Sequence, residues 1–459
     1  MDSLPGLPLW PQSPAYTVQV SSTPTSPSAP LHQLLRHTAE AVQAVRKGRS
    51  LTDALARCPA DMRPGTQALS FAVLRRLGAA DALRQLLAPK RPQPQIEGLL
   101  LCALALLWPE DEPAYADHTL VDQTVQAARK ALSASAGFVN AVLRRFVRER
   151  EALVAQVNAD PVARFNHPAW WIKQLQQDWP DQWRAMLNAN NQHPPMTLRA
   201  REGADAYLAR LTAAGIAGRA VGPQAVVLER AQPVGQLPGF AEGEVSVQDL
   251  AAQLAAPLLL VDIPHGARVL DACSAPGGKT AHLLELRPDL DLLALDSDAE
   301  RLKRVQGNLD RMRLKAQLLA ADARNTSAWF DGRPFDAILL DAPCSASGIV
   351  RRHPDVRWLR RQDDIAALAA IQSELLSALW SLLKPGGRMV YATCSVFKAE
   401  GAHQIDAFLQ RQGDVQALDV PGVTGHLLPL ADNDPTAGSA GPSVLDGFYY
   451  ALLLKSAKF

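Results

Sequence analysis

The sequence predicts an α/β chain. Its C-terminal half reads as a mostly parallel sheet covered on both faces, preceded by an all-helical segment and a small α/β module. Three observations carry this. From about residue 241 onward, short apolar runs alternate with helical stretches, the pattern of strands joined by helical crossovers. Residues 31–150 keep helical periodicity with few strand-like runs. Composition supports a folded core: 47% of residues are hydrophobic and 20% charged, which excludes a wholly disordered or collagen-like chain. At 459 residues the chain has room for roughly three domains.

In chain order, residues 1–30 hold seven prolines and no Lys or Arg, and are expected to be a disordered leader. They lack the basic start and unbroken apolar stretch of a secretory signal. In the helical segment 31–150, Val139, Val142, Leu143 and Phe146 share one face while Arg144, Arg145 and Arg148 share the other. The segment carries 17 Lys/Arg against 11 Asp/Glu. Any single Arg reads as a solvated helix face, but the surplus leans toward a phosphate-binding surface.

Residues 151–240 read as a small α/β module. Trp170, Trp171, Trp179 and Trp183 are expected in its core, with base stacking the alternative. A strand over Met196–Arg199 follows Pro194-Pro195, then a helix over 203–213 and a strand over Val226–Leu228. In 241–459, strands are expected at Arg268–Ala272, Asp291–Leu295, Gln317–Ala320, Asp336–Leu340 and Arg388–Thr393. Between the last two, Ile365, Leu368, Leu375, Leu376, Leu379 and Leu383 form a helical stripe, stopped by Lys384-Pro385-Gly386-Gly387. Residues 412–443 read as irregular loop, and Phe448–Leu454 as a closing strand.

The classes excluded are equally specific. The longest apolar run, Leu99–Trp108, is half the ~20 residues of a spanning helix, so no membrane partner is expected. A net charge of +1 neither demands nor excludes nucleic acid. Five cysteines without a CxxC pair argue against a disulfide scaffold and against a metal site, and fit a reducing, cytoplasmic setting.

The chemistry concentrates at strand ends. The strand at 268 runs into Asp271-Ala272-Cys273-Ser274-Ala275-Pro276-Gly277-Gly278-Lys279-Thr280, a Gly-rich turn between strand and helix that lets a ligand approach the backbone. It is not a phosphate-binding P-loop, because Cys273 stands where that motif requires Gly, and no GxGxxG dinucleotide fingerprint is present. Asp296, Asp322 and Asp341 end the next three strands. In an open parallel sheet, ligands bind beyond those carboxyl ends, and an acid after the second strand suits ribose hydroxyls. The set points to an adenosine-bearing cofactor. Two cysteines join it, in Asp341-Ala342-Pro343-Cys344-Ser345 and Thr393-Cys394-Ser395. One such thiol is most often inert core. Two at adjacent strand ends argue for chemistry.

The segments DACSAPGGKT, LLALD, DAPCSASGIVRRHPD and YATCS resemble the NOL/NOP/Sun RNA cytosine-5 methyltransferases. HPAWW, NNQHPPMTLR and LPGFAEGEVSVQD extend the resemblance to a bacterial branch acting on 16S rRNA, over about residues 31–459. It implies a Rossmann-like class I methyltransferase core preceded by an all-α, NusB-like RNA-binding domain. It implies S-adenosyl-L-methionine as cofactor, cradled by Cys273, Ser274, Ala275, Pro276, Gly277, Gly278 and Lys279. Asp296 would hold the ribose and Asp322 the adenine amine. Cys394 would be the nucleophile toward cytosine C6, Cys344 would assist release, and Asp341 would hold the base edge. Lys279 would orient either Asp341 or the methionine end of the cofactor.

The run Arg351-Arg352-His353, with Arg357 and Trp358, is expected to touch RNA phosphates and bases. The partner implied is 16S rRNA, bound by a monomer. A tRNA substrate, or an RNA-binding antitermination factor with an inactive core, remain the alternatives.

Overall fold

A computed structural model describes residues 29–110, 113–430 and 443–457; nearly all of the expected leader, and residues 431–442 of the expected loop, lie outside them. The described residues divide into two compact units.

The first unit is helical and runs to Gln192, with Val350–Arg361 added from later in the chain. At its centre lies the helix Pro94–Leu106, buried continuously from Ile96 to Ala105, which accounts for the long apolar run. Its one charge, Glu97, is buried but ion-paired to Arg46, Arg84 and Arg91. The helix Ala136–Arg148 buries Val139, Val142, Leu143 and Phe146 and leaves Arg144, Arg145 and Arg148 exposed, as its periodicity predicts. Trp171 and Trp183 are buried, whereas Trp170 and Trp179 are half-buried. This compact unit continues past residue 150 to Gln192. The reason is packing: Leu153, Val157 and Ala163 belong to the helical core, and the first strand begins only at Met196.

The second unit opens with a four-stranded antiparallel sheet made of β1 (Met196–Ala200), β2 (Gly218–Ala220), β3 (Ala225–Leu228) and β4 (Val245–Val247), in the order β2-β3-β1-β4. The helix Ala204–Ala213 supplies Ala204, Tyr207 and Leu211 to the core of this module.

The larger sheet contains β5 (Arg268–Ala272), β6 (Asp291–Asp296), β7 (Gln317–Ala320), β8 (Phe335–Asp341), β9 (Leu383–Thr393), β10 (Val415–Leu418), β11 (Gly425–Leu427) and β12 (Phe448–Lys455). Its order is β10-β12-β9-β8-β5-β6-β7, with β11 also on β12. Strands β5 to β9 pair in parallel, and β12 is antiparallel. This is a Rossmann-like core. The order reverses at β5, between β6 and β8, and a ligand crevice opens at such a point.

Two expectations change. Residues 412–430 are not wholly irregular, since β10 and β11 form there. Both are too short to show alternation, and their pairing is dictated by β12. Leu383 begins β9 instead of closing the helical stripe, because the helix ends at Trp380.

Candidate active site

Parallel register decides which side chains meet. Ala272 lies opposite Leu295 and Leu340, and Asp341 opposite Ala392. Cys273, Asp296, Asp341 and Cys394 therefore leave the sheet at one edge.

The turn after β5 is built for close approach. Cys273 and Gly277 both have positive φ, 64° and 96°. A Cβ at Gly277 would lie 3.0 Å from Val305 Cα, so the turn packs on the neighbouring helix only with glycine there. Gly278 opens the helix Gly278–Leu286, next to Lys279. Asp296 is buried and shapes the turn: its Oδ2 accepts the Ala275 N–H at 3.1 Å and its Oδ1 the Asp298 N–H at 3.1 Å. Arg301 lies 3.5 Å from the same carboxylate and donates to Ala275 O, while Asn308 donates to Pro276 O. Two buried polar atoms here have no protein partner, Ser274 Oγ and Asp271 Oδ1. A positive-φ cradle with unpaired acceptors and donors fits a polar cofactor such as S-adenosyl-L-methionine. Asp322 stands exposed after β7, where Arg324 holds its carboxylate at 2.7 Å and also bonds Glu374. An adenine amine would have to share that carboxylate with the guanidinium.

On the other side of β5, Lys279 Nζ donates to Asp341 Oδ2 at 2.6 Å. Burial works against its charge, but Asp341 outweighs it and keeps the lysine above its ordinary pKa. This bond is the contact that a role for Lys279 in orienting Asp341 would use. Asp271 is fully buried, accepts from Thr280 Oγ1 at 2.6 Å, and is pushed up to about 7, chiefly by burial.

The two thiols meet: Cys344 Sγ and Cys394 Sγ are 3.6 Å apart, both buried and neither in a disulfide. Burial first, then Cys344 and Asp341, push the Cys394 thiol well above its usual value, while Lys279 pulls the other way. At rest it holds its proton.

Of the four residues of the basic run expected to touch RNA, Arg351 and Arg357 are not placed for it. Arg351 and Arg357 are buried in the helical unit. Arg357 donates to Asn166 O, Asn190 O at 2.7 Å and Asn191 Oδ1, and burial lowers it to about 9. Arg75 donates to Arg351 O at 2.6 Å, and Trp358 Nε1 to Leu74 O at 2.8 Å. Arg352, His353 and Trp358 stay half-exposed. Arginines serve here as multi-donor staples for backbone carbonyls rather than as phosphate contacts.

Sequence reasoning also missed Glu400, Gln372 and Ser347, which are buried around the cysteine loops. The doubled Cys-Ser pair was the only local signal of them. Among the described residues, no group of three or more His, Cys, Asp or Glu could hold a metal, and no helix is long and apolar enough to cross a membrane.

Comparison with known proteins matches residues 258–454 to the 16S rRNA methyltransferase RsmB/F family, 167–235 to its ferredoxin-like domain and 32–148 to the NusB family. The ribosomal RNA small subunit methyltransferase B of Pseudomonas putida is 48% identical, covering 85% of this chain and 90% of its own. Its namesake from Vibrio cholerae is 43% identical, covering 90% and 95%. The crystal structure of PH0851 shares the fold at TM-score 0.71 and 23% identity, covering 92% of this chain and 99% of that one.

Proposed function

The chain belongs to the RsmB/F family of 16S rRNA methyltransferases, and from that premise we propose that it methylates C5 of a cytosine in 16S rRNA through a covalent cysteine adduct. That it is an rRNA methyltransferase dependent on S-adenosyl-L-methionine follows from the family. The observation that carries the finer reading is the thiol pair beside Asp341 and Lys279.

Cytosine C5 is a poor nucleophile until a group adds to C6. Cys394 Sγ forms the S–C6 bond while the thiol proton ends on N3 of the ring, and Lys279 is the nearby cation that favours the thiolate on the way. Asp341, oriented by Lys279, holds the base edge at N3 and the exocyclic amine. The bound S-adenosyl-L-methionine supplies an electrophilic methyl group to C5. Cys344 then assists loss of the C5 proton, and the S–C6 bond breaks as the aromatic ring is restored. The turn at 273–279 and Asp296 would hold the cofactor, with Asp322 at the adenine. The target cytosine must leave any stack to reach a thiol this buried.

The two thiols fail differently. Cys394→Ala should abolish methylation and adduct alike. Cys344→Ala should trap a protein–RNA adduct that survives denaturing electrophoresis. A trapped adduct in Cys394→Ala but not in Cys344→Ala would exchange the roles. Full activity of both variants would end the covalent reading.

A further inference from the structure

Each of the two cysteines is followed directly by a serine, and one buried carboxylate grips both serines. Glu400, fully buried on the short turn after β9, accepts the Ser345 N–H at 2.7 Å on Oε1. On Oε2 it accepts Ser345 Oγ at 2.5 Å and Ser395 Oγ at 2.6 Å. Gln372 Nε2 adds a longer bond to Oε1 at 3.3 Å and a second to Pro343 O at 2.8 Å. The turn is itself pinned, because Tyr391 OH and Thr393 Oγ1 both donate to Glu400 O. Ser347 completes the set: its Oγ lies 2.9 Å from Ser395 Oγ and accepts the Val396 N–H.

From this network we infer that Glu400 is a positioning residue, a clamp that sets the separation of Cys344 and Cys394 by holding Ser345 and Ser395 on one carboxylate. The inference rests on the two-thiol reading for its catalytic meaning, but the clamp itself is a matter of geometry. Nothing short of a carboxylate has acceptors for all four donors. The strands alone do not fix the thiols: β8 ends at Asp341 and β9 at Thr393, so both cysteines lie on loop just beyond the ladder. A further tie joins the loops, the Gly348 N–H donating to Cys394 O at 3.0 Å. Since the carboxylate of Glu400 bonds both cysteine loops, its loss should separate methyl transfer from cofactor binding. A displacement of ~1 Å at reacting groups can cost about 100-fold in rate.

Glu400→Gln keeps the shape and an acceptor for Ser345 N–H, and its amide can donate to hydroxyls that turn to accept. Glu400→Ala removes the carboxylate and its bonds to both serines and leaves the bonds to the Glu400 carbonyl in place. The test is alkylation of the purified full-length protein with iodoacetamide, followed at Cys344 and Cys394 by peptide mass mapping, alongside steady-state methyl transfer. In Glu400→Ala both thiols should react about tenfold faster together, as exposure limits thiol reactivity. The turnover number should fall about 100-fold, with the KM for S-adenosyl-L-methionine little changed. Glu400→Gln, with one acceptor oxygen left, should fall between Glu400→Ala and the parent in both measurements. Should Glu400→Ala not fold, Ser395→Ala provides the same test with a milder change, freeing Cys394 more than Cys344. Unchanged alkylation of both thiols in folded Glu400→Ala, or in Ser395→Ala where that variant serves, would overturn the clamp. So would a loss confined to cofactor KM. The activity of Cys394→Ala bears on the covalent reading alone, because the alkylation rates do not depend on it.

Discussion

Asp296→Ala offers the most direct test of the cofactor cradle. The carboxylate accepts two backbone N–H groups at 3.1 Å, from Ala275 in the Gly-rich turn and from Asp298 in the next loop. It is only 1% exposed, so water cannot readily replace it. Leaving a buried donor unpaired costs about 1–3 kcal/mol, so the two together represent roughly 2–6 kcal/mol. Part of that falls on folding stability and part on the shape of the turn that the cofactor must meet. If only about 1.4 kcal/mol reaches the binding equilibrium, affinity for S-adenosyl-L-methionine drops tenfold. We expect at least that loss, together with removal of whatever the carboxylate gives the ribose. Asp296→Asn keeps one acceptor and should lose less. Calorimetric titration of S-adenosyl-L-methionine into each variant, with circular dichroism confirming the fold, measures both. Unchanged affinity in folded Asp296→Ala would refute the assignment of the carboxylate to the cofactor cradle.

Two further outcomes follow from burial. Arg357→Met should destabilise the helical unit by about 2–4 kcal/mol, because it strips donors from Asn166 O and Asn190 O. Thermal unfolding would show it, and unchanged stability with weakened rRNA binding would restore the phosphate-contact reading. Asp271 titrates near pH 7 when folded and near 3.9 unfolded, so the folded state holds the extra proton between those values. Its contribution is therefore most favourable below about pH 4 and declines as pH rises to about 7, by about 1.4 kcal/mol per pH unit. Asp271→Asn should flatten that part of the stability–pH curve in denaturant titrations, and equal slopes for parent and variant would contradict the burial effect.

What proved legible in the sequence was whatever short segments specify by themselves. The strands β5 to β8 follow from apolar runs, and the turn at 273–279 from its glycines. The strand-end acids follow from the rule that crossover connections leave carboxyl ends at one edge of the sheet. The meeting of Cys344 and Cys394 was likewise foreseeable, because parallel neighbours β8 and β9 end at the same edge. The family resemblance, not periodicity, supplied their roles.

Other features depend on partners far away in the chain. A charged run reads the same whether solvated or buried, and Arg357 is buried because acceptors at 166, 190 and 191 surround it. No local feature pairs Lys279 with Asp341, and only the fold brings these residues, 62 positions apart, to 2.6 Å. Glu400 carries no mark beyond the Cys-Ser pair five residues before it, and its role exists only where Ser345, 55 residues earlier, folds back onto it. Sequence determined the elements and the order of the chemistry, since those follow from local periodicity and strand direction. Tertiary structure alone decided which charges are staples and which acid clamps the thiols, because desolvation and hydrogen-bond partners belong to the packed chain and not to any segment of it.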